Sequence, residues 1–328
     1  MPRLITRRAA LATGLAASLP MPHVRAQGIW PTKPVRIICA FPPGGLTDQF
    51  SRAYGDYIQE KSGQQVIVEN RAGAGGGVGA VALRQAPADG HTLMTTVSAT
   101  LLGNRVMFKN LQYDPDRDFS LVALMSSGHL PLVAHQSTGA KDIASFAAYA
   151  KANKVSGGSY AAGSFAHIAI ANVARDAGVE IPIVQYRGEA PMWQDIAVGA
   201  SQIACGSYQA AQVVFQNNVG RAIAVPTTRR MRKLPDVPTF AEQGLSAPVY
   251  QLVSWTCFVG NSAAPQELSE AASDMIVAGG KTERLARILD VFAIDEPAVG
   301  HAAFKQVLAT QGPIWLDAAR QLNLPQEG

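Results

Sequence analysis

The chain has 328 residues, 48% hydrophobic and 16% charged, an ordinary balance for a soluble globular protein with enough length for two domains. Its formal charge of +4 comes from 28 basic and 24 acidic residues. Arg3, Arg7, Arg8 and Arg25 fall in the first 26 residues, which hold no acid, so 24 groups of each sign remain beyond them. That balance gives no reason to infer a nucleic-acid partner.

Thr6-Arg7-Arg8, the apolar run Ala9 to Leu19 and the small-x-small end Val24-Arg25-Ala26 predict an export signal over residues 1–26. The signal is compatible with twin-arginine export, cleavage is expected near Ala26 and Gln27, and the run is too short to span a bilayer. The expected location is the periplasm.

Val35-Arg36-Ile37-Ile38-Cys39-Ala40 reads as a strand. Phe41-Pro42-Pro43-Gly44-Gly45-Leu46-Thr47-Asp48 turns the chain into a helix. Phe50, Ala53, Tyr54, Tyr57 and Ile58 share one face of that helix. Thr47 or Asp48 is expected to cap it. A helix start approached by glycines is a candidate anion site, although an ordinary strand-to-helix turn has the same pattern.

Val66-Ile67-Val68-Glu69 is a further strand, followed by the glycine-rich Asn70–Gly79. Gly75, Gly77 and Ala80 fit G-x-G-x-x-A, but Glu69-Asn70-Arg71 separate them from the strand and no second-strand acid follows at the right distance. A tight turn with close helix packing is expected instead, and no cofactor. Thr92 to Val97 is a strand ending at Ser98-Ala99-Thr100, hydroxyls placed where open α/β sheets bind ligands or where helices are capped. Leu121–Ser126 and Leu130–Ala134 are strands, with a crossing between lobes expected at Ser126-Ser127-Gly128.

The middle repeats the rhythm. A helix is predicted over Phe146–Ala152, a strand over Ser156–Tyr160, the small-residue loop Ala161-Ala162-Gly163-Ser164 and a helix to Ala177, ended by Gly178. Ile181–Tyr186 is a strand before Arg187-Gly188-Glu189, and Met192–Val198 a helix with Pro191 in its first turn. Ile203–Cys205 is a strand, Ser207–Gln216 a helix and Ala222–Val225 a strand. Leu252–Val259 is the expected return strand. Helices are predicted around Glu267–Ala278, Glu283–Leu289 and Val299–Leu322. The terminal segments therefore form one α/β lobe and the middle another, with residues 27–128 and 230–328 in lobe 1 and residues 129–229 in lobe 2. Two crossover segments join the lobes around a cleft able to close.

Three loops share a strand, small-residue, helix-start grammar: Pro43–Asp48, Ser98–Thr100 and Ala161–His167. Converging amides and helix dipoles suit a small carboxylate without a fixed cation. Asp48 either stabilises its helix start or accepts from a ligand amine or bridging water. Arg187 is either a solvated loop arginine or the partner of a second carboxylate. Ser164 and His167 could be imagined as a hydrolase pair. The turn lacks the last glycine of a nucleophile elbow and no acid orients the imidazole, so Ser164 is expected to cap a helix. Cys39, Cys205 and Cys257 lie in apolar runs and read as buried thiols, and no Cys/His spacing suggests a metal.

Trp30-Pro31-Thr32-Lys33-Pro34-Val35-Arg36-Ile37, Phe41–Asp48, Val68-Glu69-Asn70-Arg71-Ala72-Gly73-Ala74-Gly75-Gly76, Ala88-Asp89-Gly90-His91-Thr92-Leu93, Tyr113-Asp114-Pro115, Asp118-Phe119 and Leu234–Thr239 closely resemble the Bug family, in order, over nearly the whole mature chain. These are periplasmic solute receptors of tripartite tricarboxylate transporters. The resemblance implies a type II-like periplasmic binding protein fold and capture of a small organic acid, whether mono-, di- or tricarboxylate or aromatic. It also implies delivery to membrane transporter subunits, by a chain expected to be a monomer. Carried over, the ligand loops are Pro43, Gly44, Gly45, Thr47 and Asp48, then Ala161, Gly163, Ser164 and His167, with Ser98 on another cleft loop. Departures are Phe165 and Ala166 where serines are usual, Gly206-Ser207-Tyr208 where an Asp is common, and Tyr186-Arg187-Gly188-Glu189 for Tyr-Lys-Gly-Gly. Arg187 and Ser207 are thereby expected to meet an altered distal group. A sensor presenting its closed form to a membrane histidine kinase, and a Ser164/His167 hydrolase, are the alternatives.

Overall fold

The computed structural model describes residues 30–127, 130–186 and 188–326. The expected export signal, Gly128 and Arg187 lie outside the described residues. In chain order the first part runs β1 (Val35–Cys39), α1 (Leu46–Ser62), β2 (Val66–Asn70), α2 (Gly77–Arg84), β3 (Thr92–Val97), α3 (Asn104–Met107), α4 (Pro115–Asp118) and β4 (Phe119–Ser126). The middle part is β5 (Leu132–His135), α5 (Ile143–Ala152), β6 (Gly157–Ser159), α6 (Phe165–Ala177), β7 (Ile183–Gln185), α7 (Glu189–Ala197), β8 (Ile203–Cys205), α8 (Gln212–Gln216) and β9 (Gly220–Ala224). The last part is β10 (Trp255–Asn261), α9 (Gln266–Gly279), α10 (Glu283–Val291), β11 (Val299–Gly300) and α11 (His301–Gln321).

Two mixed sheets result, ordered β11-β4-β10-β3-β1-β2 and β7-β6-β8-β5-β9. In the first, β1 pairs in parallel with β2 and β3, while β10 runs antiparallel to β3 and β4. Val35, Ile37, Ile38 and Cys39 are all buried, because a strand inside a sheet covered on both faces is apolar throughout. In the second sheet β6 is parallel to β7 and β8, and β5 is antiparallel to β8 and β9.

This topology decides where the connections between the lobes lie. The end of β4 points the same way as the ends of β1, β2 and β3, and β10 enters from that same edge. In the second sheet Leu132, where the chain enters, pairs with Cys205 at the end of β8 and with Ala224 at the end of β9. Both connections therefore join the edges at which the parallel strands end. They are bonded to each other: the Ser127 amide donates to the Ser254 carbonyl at 3.1 Å, and the Ser127 and Thr256 hydroxyls lie 3.0 Å apart.

Two expectations change. Val299–Leu322 is not one helix; β11 pairs with Leu124 and Ala123 of β4 before α11 begins. The helix expected over Ser207–Gln216 is only α8, preceded by turns over 208–211. The helix start expected at Ser98–Thr100 is present, the chain continuing as a helical stretch from Ala99 to Met107. Cys39, Cys205 and Cys257 are buried free thiols, as their apolar surroundings suggest.

Candidate functional site

The turn from β1 into α1 exposes Pro43, Gly44 and Gly45. Gly44 has φ +90°, a conformation glycine adopts without strain. The helix starts at Leu46 with Gly45 as N-cap and no side-chain cap. The expected capping by Thr47 or Asp48 is thus incorrect: both lie one residue or more inside the first turn, buried. The physical consequence is that, among the described residues, no side chain caps the first α1 amides.

Asp48 is turned inward. It accepts from the Gly44 amide at 3.0 Å, from Asn70 Nδ2 at 2.8 Å and from Arg52 Nε at 3.1 Å. Burial opposes its ionisation, but those donors, with the Arg52 charge, hold its carboxyl below the usual range. Asn70 also donates to the Phe41 carbonyl at 3.0 Å, so the end of β2 braces the exposed turn.

Ser98 is buried at the end of β3 and opens the Ala99–Met107 stretch. Thr100 donates to the Gly75 carbonyl at 2.8 Å and Asn104 to the Ala74 carbonyl at 3.2 Å. Their side chains fill the concave side of the Gly73–Gly76 turn, where a Cβ on Gly75 would lie 2.7 Å from Asn104 Oδ1. The dinucleotide fingerprint is occupied by protein. A Cβ on Gly79 would stand 2.9 Å from that of Ala40, the close helix packing expected of these glycines.

In the second lobe Ser164 caps α6, its hydroxyl accepting from the His167 amide at 3.4 Å and lying 3.0 Å from the Ser159 hydroxyl. Gly163, at φ +66°, donates its amide to His167 Nδ1 at 3.4 Å, and Gln185 Nε2 approaches the same nitrogen at 3.1 Å. With Nδ1 an acceptor, the imidazole proton sits on Nε2. Burial pushes the His167 pKa down to about 4, so the ring is neutral near pH 7. Gly163 also touches the other lobe. Its carbonyl oxygen is 3.7 Å from a Cβ built on Gly103, and its own Cβ would lie 3.2 Å from Met107 Sδ. Gly163 therefore meets the stretch that Ser98 opens, at the edges where the parallel strands of the two sheets end.

Ser207 follows β8 at this same edge. Its amide donates to Glu189 Oε1 at 3.0 Å and its hydroxyl to Glu189 Oε2. The Gly188 amide donates to the Tyr160 carbonyl at 3.0 Å, tying the turn after β7 to the turn after β6. The Tyr160 hydroxyl, its pKa raised by burial, lies beside Ser164 and beside Ser254 of the connecting segment. Sequence reasoning missed Tyr160, Met107 and Glu189 as groove residues. Tyr160 follows β6, Glu189 opens α7 and Met107 closes α3, and their contacts join segments distant in the chain.

A family model described as a tripartite tricarboxylate transporter family receptor matches residues 50–308. The chain belongs to that family. This receptor is 33% identical over 270 residues to a UPF0065 protein in the tcbD-tcbE intergenic region of Pseudomonas sp. strain P51, covering 81% of this chain and 80% of that protein. R. palustris Rpa4515, solved with adipate, matches with a TM-score of 0.80 at 25% identity, over 91% of this chain and 100% of that one. The periplasmic binding protein BugD matches over the same shares with a TM-score of 0.75 at 22% identity, a likeness of fold. The receptor has the two-lobed fold of periplasmic solute-binding proteins, and its family is one of solute receptors.

Proposed function

We propose that this receptor captures a small carboxylate-bearing solute between its lobes and delivers it to tripartite tricarboxylate-type membrane subunits. The carrying observation is topological: both connections join the edges at which the parallel strands of the two sheets end, and α1 starts at that edge with no side-chain cap. An anion fits such a helix start. Pro43, Gly44, Gly45 and Thr47 would hold the carboxylate from lobe 1, with Asp48 shaping their turn. Ser98, Ala161, Gly163, Ser164 and His167 would close around it, and Arg187 and Ser207 would serve its distal end. The lobes would divide as 27–128 with 230–328, and 129–229. The adipate-bound relative supports an organic acid as the ligand class. Removal of residues 1–26 near Ala26 would release the chain into the periplasm.

Binding without turnover is the favoured chemistry. The Ser164 hydroxyl bonds to Ser159 and to a backbone amide, and the imidazole acceptor nitrogen is taken by Gly163 and Gln185, so no nucleophile–base pair is formed. A thermal-shift panel of mono-, di- and tricarboxylates, aromatic acids and nucleotides tests the reading. Some carboxylate should raise the melting temperature, by about 2.7 kcal/mol of stabilisation at a hundredfold excess over Kd. Nucleotides should not. A shift with nucleotides alone, or hydrolysis abolished by Ser164→Ala, would overturn it.

A further inference from the structure

β9 ends, and β11 begins, at the two edges that the connections join. The loop after β9 carries Arg229, Arg230, Arg232 and Lys233, whereas the end of α10 and the turn before β11 carry Asp290, Asp295 and Glu296. The basic loop is held to the second sheet. The Val225 amide donates to the Pro238 carbonyl at 3.1 Å, the Phe240 amide to the Val225 carbonyl at 3.1 Å and Gln243 Nε2 to the Ile223 carbonyl at 2.9 Å, while Arg230 pairs with Glu242 at 3.1 Å. By these bonds the loop moves with the second lobe, although the chain has by then passed residue 229. The acids belong to the first lobe: Val299 pairs with Leu124 of β4, and Arg284 of α10 pairs with Asp56 of α1.

Four ion pairs join the loop to the acids. Arg232 lies 3.2 Å from Asp295 and 3.6 Å from Asp290, Lys233 lies 2.9 Å from Asp290, and Arg229 lies 3.8 Å from Glu296. A lone surface pair contributes little and is screened by salt, but these four act on one contact. The Asp295 side chain is only 12% exposed, so its pair with Arg232 is the least screened. Beneath them Val225, Met231 and Ala293 form one buried apolar cluster drawn from both lobes. Ala293 has φ +56°, just past α10, where glycine is the usual residue. Its methyl group fills the cluster at the cost of backbone strain. An open hollow of about 590 Å³, lined by Arg229, Arg232, Leu289, Asp290 and Asp295 among others, adjoins the pairs, so dissolved ions reach them.

We infer that the basic loop at 229–233 and the acidic turn at 290–296 form a salt-sensitive latch that favours the closed arrangement of the lobes before any solute binds. The pairs and the cluster join groups carried by different lobes, so they form when the lobes meet and are lost when they part. Their contribution falls on the closed state alone, and removing it shifts the population toward the open one. Solute affinity then falls in step, because less of the protein is ready to hold the solute from both sides. The inference goes beyond the carboxylate reading and depends on the two-lobed fold, not on which solute is bound.

Small-angle scattering of the ligand-free mature chain tests this, in sodium chloride at about 20 mM and about 500 mM, which span weak and strong screening. The radius of gyration, roughly 19 Å for a compact chain of this length, should rise by about 0.5 Å or more at the higher salt. Arg232→Glu sets a like charge against Asp290 and Asp295. It should show the larger radius already at low salt and lose most of the salt dependence. Combining it with Asp295→Arg reverses one pair and should bring back the smaller radius. Arg232→Gln, expected to enlarge the radius less, serves if the first variant does not fold. A radius equal in the wild type and the single variants at both salts would overturn the inference, as would an increase in Arg232→Glu that the reversed pair does not lessen. Neither result touches the solute class, which the thermal-shift panel decides by itself.

Discussion

Asp48 was expected from sequence at the ligand or at the helix cap, and the cap is Gly45 instead. Its three donors come from Gly44, Asn70 and Arg52, of which Asn70 is 22 residues away, and such a partner is invisible to local pattern. Asp48→Ala would leave the Gly44 and Asn70 donors short of an acceptor, so a loss of about 1–3 kcal/mol in denaturant unfolding is expected, with carboxylate affinity falling as the turn loosens. His167 carries a pH effect of definite sign. An imidazole whose pKa falls from 6.5 in the open chain to about 4 on folding binds fewer protons when folded. Its contribution is intact above about pH 6.5 and is lost as pH falls toward 4, with a slope of at most about 1.4 kcal/mol per pH unit. Urea midpoints measured between pH 7 and 4.5 should fall less steeply in His167→Gln than in the wild type. Gly163 is the most constrained of the loop glycines that touch the opposite lobe. A side chain at φ +66°, with Met107 Sδ 3.2 Å from its Cβ, makes Gly163→Ala costly by about 1–2 kcal/mol and should weaken ligand binding as well.

Among the elements, α1 shows how a rule of local preference can misplace a boundary. Thr and Asp are favoured caps, so Thr47-Asp48 draws the cap to itself, yet the helix begins at Leu46 behind a glycine. The misplacement is informative, because a bare start keeps its amides for a ligand. Gly45 has φ −75° and free space around its Cβ, so a side chain fits there. Gly45→Asp should stabilise the free protein by a few tenths of a kcal/mol as a proper cap. It should also cut carboxylate affinity by at least about tenfold, since the new acid takes the place of the solute. Opposite movements of melting temperature and affinity in one variant would mark the anion site; parallel movements would refute it. The strands were legible because parallel strands covered on both faces are largely apolar runs, as in Val35–Cys39, interrupted at Arg36. Two-residue β11 was not, being too short to interrupt the helical pattern of Val299–Leu322. The helix start at Ser98–Thr100 was legible, but its extent to Met107 was not, because it follows β3 directly and no side chain caps it.

For the whole molecule, the alternation of strand and helix patterns was enough to expect two lobes, and the two sheets are the structure's version of that expectation. Which edges face each other was not readable, since that depends on strand direction: β10 is antiparallel to both neighbours and β5 to both of its own. If the groove holds the ligand, binding should favour the more closed arrangement in proportion to the contacts added on closing. Small-angle scattering should then show a smaller radius of gyration with saturating ligand, and no change when Gly45→Asp is given the same concentration.

The bond between Ser127 and Ser254 bears on how such a closure can proceed. The two connections run on from β4 and β10, themselves partners in the first sheet, and Ser127 and Thr256 link them again through their hydroxyls. Strips fastened side by side cannot slide past one another, so they bend together as a single flat spring. The receptor would then open and shut along one path, like a book on its spine, with Gly163 arriving at the same two neighbours every time.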